Sequence, residues 1–488
     1  MLRTIIEKEL KAILLSPKFV VTFAACSLLI ILSVFVGIQE YRAMVRQYET
    51  ATQLAEQQLR EASGWMGISN SAYRKPDPVQ IFVAGVNNDI GRLSVISNFE
   101  GIRLRNSIYS DDPIFAVFRF IDLTFIFQVV LSLFAILFTY DAINGERENG
   151  TLQLSFANAI PRASYLLGKF IGALLGLLVP LLIPILLGVL LVMFFQIPLT
   201  ALHWTKLATL LGISLLFFTC FVAMGLLISA LTKRSSISFL IALVAWVLFV
   251  LIIPRGAVMA AGQLVPVPSV AEIEAQQDGF EREQWQKLTT GLQERWQKRN
   301  ALTEGMNAKE REAYMDDHEW EWMEEEDKQR KGAQKEIEQF SLKLREELRN
   351  RKTNQEKLAF SLSRFSPASA YQLAAMNLAG TDLAIKTRYE DAMQNYRTAF
   401  NEAVEKKRQA EGGHDGIQMR WSSDSGMKIS MGREGGALEV SDLPRFAAPE
   451  LSFAEAFAPT IFDFGLLAVY TLLAFVGAFA VFLRYDVR

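Results

Sequence analysis

The stretch from Leu207 to Thr232 reads LATLLGISLLFFTCFVAMGLLISALT and carries no charged side chain. Each residue of a helix adds about 1.5 Å along the axis, and the hydrocarbon core of a bilayer is about 30 Å thick. Roughly 20 apolar residues therefore suffice to cross it. The alternative is a buried helix of a water-soluble protein, but such helices rarely stay uncharged over this length. We therefore expect residues 207–232 to form a transmembrane helix.

Five further stretches share this length and this lack of charge, and 51% of all residues are hydrophobic. Their apolar parts are Phe19–Ile38, Leu123–Tyr140, Phe170–Phe195, Ser235–Pro254 and Phe464–Leu483. With their flanking residues, the six predicted transmembrane helices span residues 19–38, 114–140, 166–196, 207–232, 237–254 and 459–484. The pattern predicts an all-α polytopic membrane protein.

Composition argues against several classes of function. The chain has 50 basic and 52 acidic residues, so it lacks the basic excess of a nucleic-acid-binding protein. Its two cysteines, Cys26 and Cys220, lie in apolar stretches, and its three histidines are scattered, so no metal site is indicated. The sequence lacks a Gly-rich phosphate loop and the motifs of zinc proteases and serine hydrolases. We predict no catalytic residue, no metal site and no cofactor bound by this chain.

Three aspartates, Asp122, Asp141 and Asp463, mark the ends of predicted transmembrane helices. We expect water or lipid headgroups to solvate them, because an ionised side chain is costly inside a bilayer. Since the helices themselves lack charge, an ion-coupled carrier is disfavoured.

Basic residues predict the orientation, because Lys and Arg of short connections stay on the cytoplasmic side. They occur in four alternating segments, which are residues 1–18, 141–165, 233–236 and 485–488. Six crossings then place both termini in the cytoplasm. The segments predicted on the other side are residues 39–113, 197–206 and 255–458.

Residues 1–18 place apolar side chains at helical spacing, with Lys and Glu between them. This pattern predicts an amphipathic interfacial helix that contacts membrane lipid. A simple extension of the first transmembrane helix is the alternative.

The sequence of the outer segment, residues 255–458, indicates a mainly helical domain. Apolar side chains recur at helical spacing over residues 285–296 and 337–348, which indicates two long amphipathic helices. Ser366-Pro367 marks the start of another helix. Alternation over residues 417–421 and 427–431 predicts a small β-hairpin. The other large outer segment, residues 39–113, begins as a continuation of the first helix to about Arg60.

The connection after the second transmembrane helix reads YDAINGERENGTLQL from Tyr140 to Leu154. This string resembles the coupling element of ABC-2 type permeases, the membrane subunits of ATP-binding cassette exporters. Leu166-Leu167-Gly168-Lys169 follows it in the same pattern, and Ser16-Pro17-Lys18-Phe19 resembles the end of the family's interfacial helix. An ordinary solvated turn is the alternative.

The resemblance implies which residues face the ATPase subunit. In the coupling element they are Gly145, Glu146, Arg147, Glu148, Gly150, Thr151 and Leu152. At the remainder of the cytoplasmic interface they are Lys8, Glu9, Lys233 and Arg234.

The resemblance further implies a transport subunit of a bacterial cytoplasmic membrane, without enzymatic activity of its own. A separate ABC ATPase would bind ATP and Mg²⁺, and the permease would export a substrate as a homodimer or heterodimer. Ser366-Pro367-Ala368 and Ala379–Asp382 resemble a bacterial branch with a large outer domain before the last helix. Two alternatives remain open: an ATP-driven transmitter that acts mechanically on an envelope protein through residues 255–458, and a passive scaffold or receptor.

Overall fold

The computed structural model describes residues 2–62, 64–65, 68–97, 102, 104–106, 122–157, 160–410, 417–422, 426–431 and 438–484. The predicted start of the second transmembrane helix, residues 114–121, and the predicted tail, residues 485–488, lie outside these ranges.

Six helices of the described chain are long and apolar enough to cross a membrane, which confirms the predicted fold class. We number these spans in chain order as Pro17–Arg60, residues 123–139, Arg162–Phe194, Ala201–Leu231, Ser235–Leu264 and Thr460–Leu483. The second span comprises Leu123–Phe125, a π-helical turn at Ile126–Leu131, and Ser132–Thr139. The fifth comprises Ser235–Trp246, a π-helical turn at Val247–Ile252, and Ile253–Leu264.

The remaining helices are short or lie outside the spans. In chain order they are α1 (Leu2–Leu14), α2 (Asn144–Glu148), α3 (Thr151–Ala157), α4 (Val270–Leu302), α5 (Ala308–Ser363), α6 (Pro367–Ala379), α7 (Ala384–Ala410) and α8 (Phe453–Phe457). A 3₁₀ turn covers Pro78–Ile81. The strands are β1 (Asn70–Tyr73), β2 (Leu93–Ile96), β3 (Ile417–Ser422) and β4 (Gly426–Met431).

The chain divides into two compact units, which split the predicted outer segment 255–458. One unit, which we call the span-containing unit, contains residues 1–252 and 364–488, and the other contains residues 253–363. The second unit includes the long helices α4 and α5. Within it the rings of Phe280 and Phe340 stack with centroids 4.1 Å apart, so the two helices pack against each other.

The fourth span is the most buried of the six. Gly225 allows the second span to approach it, because a Cβ at that position would overlap the side chain of Thr139. The second and fifth spans are joined by a buried hydrogen bond of 2.8 Å that the indole Nε1 of Trp246 donates to Ser132 Oγ. Glycine and short polar side chains therefore set the packing of this bundle, as is common between membrane helices.

Helix α1 packs along the third span through a row of glycines. Gly168, Gly172 and Gly176 follow one another at intervals of four residues, and they face Ile5, Glu9 and Ile13 of α1. A Cβ added at Gly168 or at Gly172 would come within 2.6 Å of the opposing side chain. The amphipathic helix predicted over residues 1–18 is thus present as Leu2–Leu14, and one face of it contacts protein.

Helix α6 packs into the span-containing unit, although its sequence belongs to the predicted outer segment. Ser366 caps its first turn by accepting hydrogen bonds from two backbone amides, and Gly380 ends it in a left-handed conformation with φ of 71°. The buried ring of Tyr371 stacks on Phe217 of the fourth span, with centroids 4.6 Å apart. The hydroxyl of Tyr371 lies 3.0 Å from Ser214 Oγ of the same span. Most of the other buried residues of α6 are alanines, which permits this close packing.

Asp463 corrects one expectation from the sequence, since water does not solvate it. Its side chain is fully buried at the start of the sixth span. Arg364 donates hydrogen bonds of 2.6 and 3.0 Å to the two carboxylate oxygens. The backbone carbonyl of Arg364 also accepts a hydrogen bond of 2.7 Å from the Tyr470 hydroxyl. A buried ion pair, rather than solvent, therefore compensates this charge.

A second hydrophobic core lies outside the spans, in the same unit. Helix α7 contributes one apolar stripe, and the strands β1 and β2 with the segment of residues 438–448 cover it. β1 and β2 form an antiparallel pair in which Ser71 is opposite Val95. The predicted hairpin is also present, as β3 and β4, with Ile417 opposite Met431. Residues 423–425 between its strands are outside the described chain.

Candidate functional site

Helices α2 and α3 form a helical turn between the second and third spans, at the sequence that resembles a coupling element. Gly150 separates the two helices with φ of 72°, a left-handed conformation that glycine adopts without strain. Thr151 donates a hydrogen bond of 3.2 Å to the carbonyl of Glu146 across this turn. Leu152 is buried among apolar side chains that include Ile143, Leu166 and Phe482.

Asn144 fixes the start of this element to the fourth span. Its side chain is completely buried and donates a hydrogen bond of 2.9 Å to Thr232 Oγ1. The backbone amide of Ile143 donates a hydrogen bond of 3.0 Å to Ser229 Oγ. The sequence analysis missed Asn144, because nothing in its neighbourhood along the chain shows that its partners lie on the fourth span.

Glu146 is the centre of a buried ion-pair cluster, which we call the basal cluster and define as Lys8, Glu9, Glu146, Tyr165 and Lys169. One carboxylate oxygen of Glu146 lies 2.7 Å from Lys8 Nζ and 2.9 Å from Lys169 Nζ. The other oxygen accepts a hydrogen bond of 2.6 Å from the hydroxyl of Tyr165. Lys169 Nζ also lies 2.7 Å from a carboxylate oxygen of Glu9. The cluster therefore joins α1, α2 and the third span.

Burial makes this cluster different from a surface ion pair. The side chains of Lys169 and Glu9 are only 5% and 9% exposed, and that of Glu146 is 13% exposed. Buried charges that lose a partner are strongly destabilising, because the remaining charge is left without water and without a counterion. The three elements that meet in the cluster are thus held in one arrangement.

Glu148 connects the same short helix to the fifth span. Its carboxylate accepts a hydrogen bond of 2.6 Å from Ser235 Oγ and another of 3.0 Å from the Ser235 backbone amide. Ser235 is the first residue of that span, where amides lack partners within the helix and a negative charge is favourable.

The charged residues of the predicted interface thus separate into those that meet in the basal cluster and those that lie outside it. Lys8, Glu9 and Glu146 come together in the basal cluster, which also contains Tyr165 and Lys169, two residues that the sequence analysis did not select. Arg147 is half-buried, whereas Lys233 and Arg234 are exposed beside the start of the fifth span. The charge of Arg234 lies close enough to act on Glu148.

The exposed surface of this element consists of the end of α2, the turn and part of α3. Its residues are Glu148, Asn149, Gly150, Thr151, Gln153 and Leu154. Leu154 is 68% exposed and is the one large apolar side chain among these residues. We call these six residues the exposed face. In the part of the chain that the structure describes, no group of three or more His, Cys, Asp and Glu side chains could hold a metal ion.

The comparison with protein families agrees with this geometry. The family described as ABC-2 family transporter protein matches residues 3–487, which is nearly the whole chain. The chain belongs to the ABC-2 transporter family. This ABC-2 protein is therefore a multi-pass membrane component of a transport system, and family membership implies association with an ABC ATPase subunit. A comparison with curated proteins gives no match.

Proposed function

We propose that this ABC-2 protein is the membrane subunit of an exporter whose ATP and Mg²⁺ are bound by a separate ABC ATPase. The observation that carries the proposal is the basal cluster, in which Glu146 contacts groups on α1 and on the third span at hydrogen-bonding distance. A short helix tied at several points to the spans can pass a movement of its own to all of them.

The contacts define where such a movement would go. From α2 it reaches the third span through Lys169, the fourth span through Asn144 and the fifth span through Glu148. The contact with Lys169 is a buried ion pair, and breaking it would leave each charge without its counterion, so we expect α2 and the third span to move together. We propose that Glu146 takes part in this transmission rather than in direct binding of the ATPase, because its carboxylate contacts Lys8, Lys169 and Tyr165 of the same chain.

The exposed face is the surface that we propose for docking of the ATPase. It combines an acid, amides and the exposed Leu154. An apolar side chain within a polar rim is a typical arrangement for a protein interface. Docking here requires that this end of the spans faces the cytoplasm, as the basic residues predict, with both termini on the same side.

A pair of substitutions tests the docking proposal. Leu154→Asp should lower both the recovery of the ATPase with the tagged permease and the ATP turnover of the complex by about tenfold, the scale of losing a central interface contact. Glu402→Lys, a charge reversal at an exposed position of α7, is the control and should leave both unchanged. Undiminished recovery and turnover with Leu154→Asp in a correctly inserted protein would contradict the proposal.

Export needs a direct measurement, since ATP turnover alone does not report movement of a substrate. The complex reconstituted in vesicles should accumulate substrate on one side only when ATP is present on the side of the exposed face. Two copies of this chain, or one copy with a similar permease, would complete the membrane part. Mass measurement of the intact complex distinguishes these compositions.

A second candidate function is mechanical action on an envelope protein, and the unit of residues 253–363 favours it. Helix α5 contains 56 residues, a length of about 84 Å at the rise of an α-helix. The surfaces of α4 and α5 are largely polar and exposed. A pair of long polar helices offers a large surface for a partner outside the membrane.

Shortening this helical pair separates the two candidates. Because Phe280 and Phe340 stack, removal of residues 281–339 and closure with a short Gly-Ser linker keeps the paired base. A mechanical transmitter would lose its cellular function while the complex keeps ATP turnover. An exporter would retain ATP-dependent movement of substrate in vesicles.

A further inference from the structure

A cavity of about 200 Å³ lies in the span-containing unit, beyond the apolar part of the first span. The first-span helix forms one wall with Met44, Gln47, Tyr48 and Ala51, and the segment that follows β1 contributes Arg74 and Lys75. The other lining residues are Tyr73, Pro76, Gln80, Asn87, Arg92, Leu93 and Asn106. Met44 stands six residues past Ile38, about 9 Å along the helix, so the cavity is at or just above the level of lipid headgroups.

All the charged side chains among the described residues of this lining are positive. Arg74, Lys75 and Arg92 are cationic, and none of the described lining residues is an acid. Glu40, a carboxylate that interacts electrostatically with Arg92, is outside the lining. The described residues that line the cavity therefore contribute only positive formal charge to it.

Arg74 is the most telling of these side chains, because it is only 7% exposed. Its Nη2 donates a hydrogen bond of 2.6 Å to the backbone carbonyl of Asn87. Its buried Nη1 has no hydrogen-bond partner among the described residues. Burial lowers the pKa of Arg74 to about 10, so the guanidinium still carries its charge at neutral pH. A buried N–H donor of this kind is costly unless an acceptor forms a hydrogen bond with it.

The neighbouring polar groups are already held in place. Arg92 donates a hydrogen bond to Gln47 Oε1, and Asn87 Nδ2 donates one of 2.6 Å to Gln80 Oε1. The site is therefore formed in advance of binding, which lowers the cost of ordering it.

A larger cavity of about 490 Å³ nearby does not share this excess of positive charge. Its lining contains Glu56 and Glu439 as well as Arg60 and Arg445, and Arg445 lies 3.7 Å from Glu56. Charges of both signs there compensate each other, so only the smaller cavity favours an anion.

We propose that the cavity lined by Arg74, Lys75 and Arg92 binds a phosphate group. Guanidinium forks match the geometry of phosphate oxygens, and three cations suit an anion that carries more than one charge. The volume accommodates a phosphate group with a few attached atoms. Either the headgroup of a phospholipid or a small phosphorylated solute supplies this chemistry, and the site is independent of ATP use at the other end of the spans.

Binding measurements on the full-length protein test the site. Inorganic phosphate is titrated into delipidated protein by calorimetry, and short-chain phosphatidic acid is titrated separately. Lys75→Gln removes an exposed cation of the lining without disturbing the interior. It should weaken phosphate binding by about three- to tenfold, the effect of one cation pairing with an anion. Arg74→Lys keeps a charge but loses the fork, and should weaken binding further.

The control is Lys406→Gln, which removes an exposed lysine of α7 that does not line the cavity. It should bind phosphate like the unmodified protein. If inorganic phosphate binds, a free phosphate anion is sufficient to occupy the site. If phosphatidic acid binds and inorganic phosphate does not, the ligand is a lipid headgroup. The proposal is overturned if neither binds saturably, if Lys75→Gln and Arg74→Lys bind as tightly as the control, or if succinate binds equally well.

Discussion

Gly172 of the third span lies directly against Glu9 of α1, so closely that a Cβ at Gly172 would come within 2.6 Å of the Cβ of Glu9. Glu9 is in turn paired with Lys169, one turn earlier on the third span. The glycine row and the basal cluster therefore depend on each other, since a larger residue at 172 would separate the ion pair.

We predict that Gly172→Ala lowers the melting temperature of the detergent-solubilised protein. Replacement of glycine by alanine within a helix stabilises by about 1 kcal/mol when nothing is nearby, so a loss must come from displacement of α1. Gly212→Ala, where no atom lies within 4 Å of the added Cβ, is the matched control and should be neutral or stabilising. Equal melting temperatures for the two variants would refute the close packing of α1.

Lys169→Met should destabilise the protein by about 3–5 kcal/mol, because it leaves the buried carboxylates of Glu9 and Glu146 without their shared cation. Chemical unfolding in detergent measures the change. Adding Glu9→Gln to Lys169→Met should restore part of the stability, whereas Lys8→Met should have a smaller effect, since Lys8 is 56% exposed. A double variant no better than Lys169→Met alone would argue against a paired cluster.

The buried pair of Arg364 and Asp463 predicts an asymmetry between single and double substitutions. Asp463→Leu or Arg364→Met should each cost about 3–5 kcal/mol, because the partner keeps an unpaired charge. Arg364→Met with Asp463→Leu removes both charges and should cost less than either single change. Thermal unfolding of the three variants decides the point, and additive losses would show that the two residues do not interact.

Gly380→Ala should destabilise the protein by about 1–2 kcal/mol, because φ of 71° at this position is unfavourable for a residue with a Cβ. Gly465→Ala in the sixth span, where the added Cβ meets no atom within 4 Å, serves as the comparison. A melting temperature for Gly380→Ala that matches that of Gly465→Ala would mean that the left-handed end of α6 is not required.

The spans and their caps can be predicted from the sequence because they are local. An uncharged apolar stretch of sufficient length identifies each span by itself. The ends of α6 are equally local, since Ser366, Pro367 and Gly380 act on the adjacent turns. The strands β1 and β2 escape such analysis because each has only four residues, too few for an alternating pattern.

The roles of individual charges cannot be predicted in the same way. Glu146 and Glu148 look alike in the sequence, yet one is buried among Lys8 and Lys169 and the other is exposed against Ser235. Asp463 likewise looks like an aspartate at a solvated helix end until Arg364 is placed beside it. Lys169 was not selected from the sequence, although it is a lone cation at the start of a long uncharged stretch, which is a usable signal.

The first span is a single helix of 44 residues that begins beside the end of α1 and reaches Arg60 without interruption. At 1.5 Å per residue it is about 66 Å long. Treated as a stiff lever arm pivoting at Pro17, it would displace Arg60 by about 6 Å for a tilt of about 5°. Both cavities use residues of its distal half as one wall. A tilt too small to disturb the contacts of the first span within the hydrocarbon core would therefore widen or narrow the two cavities.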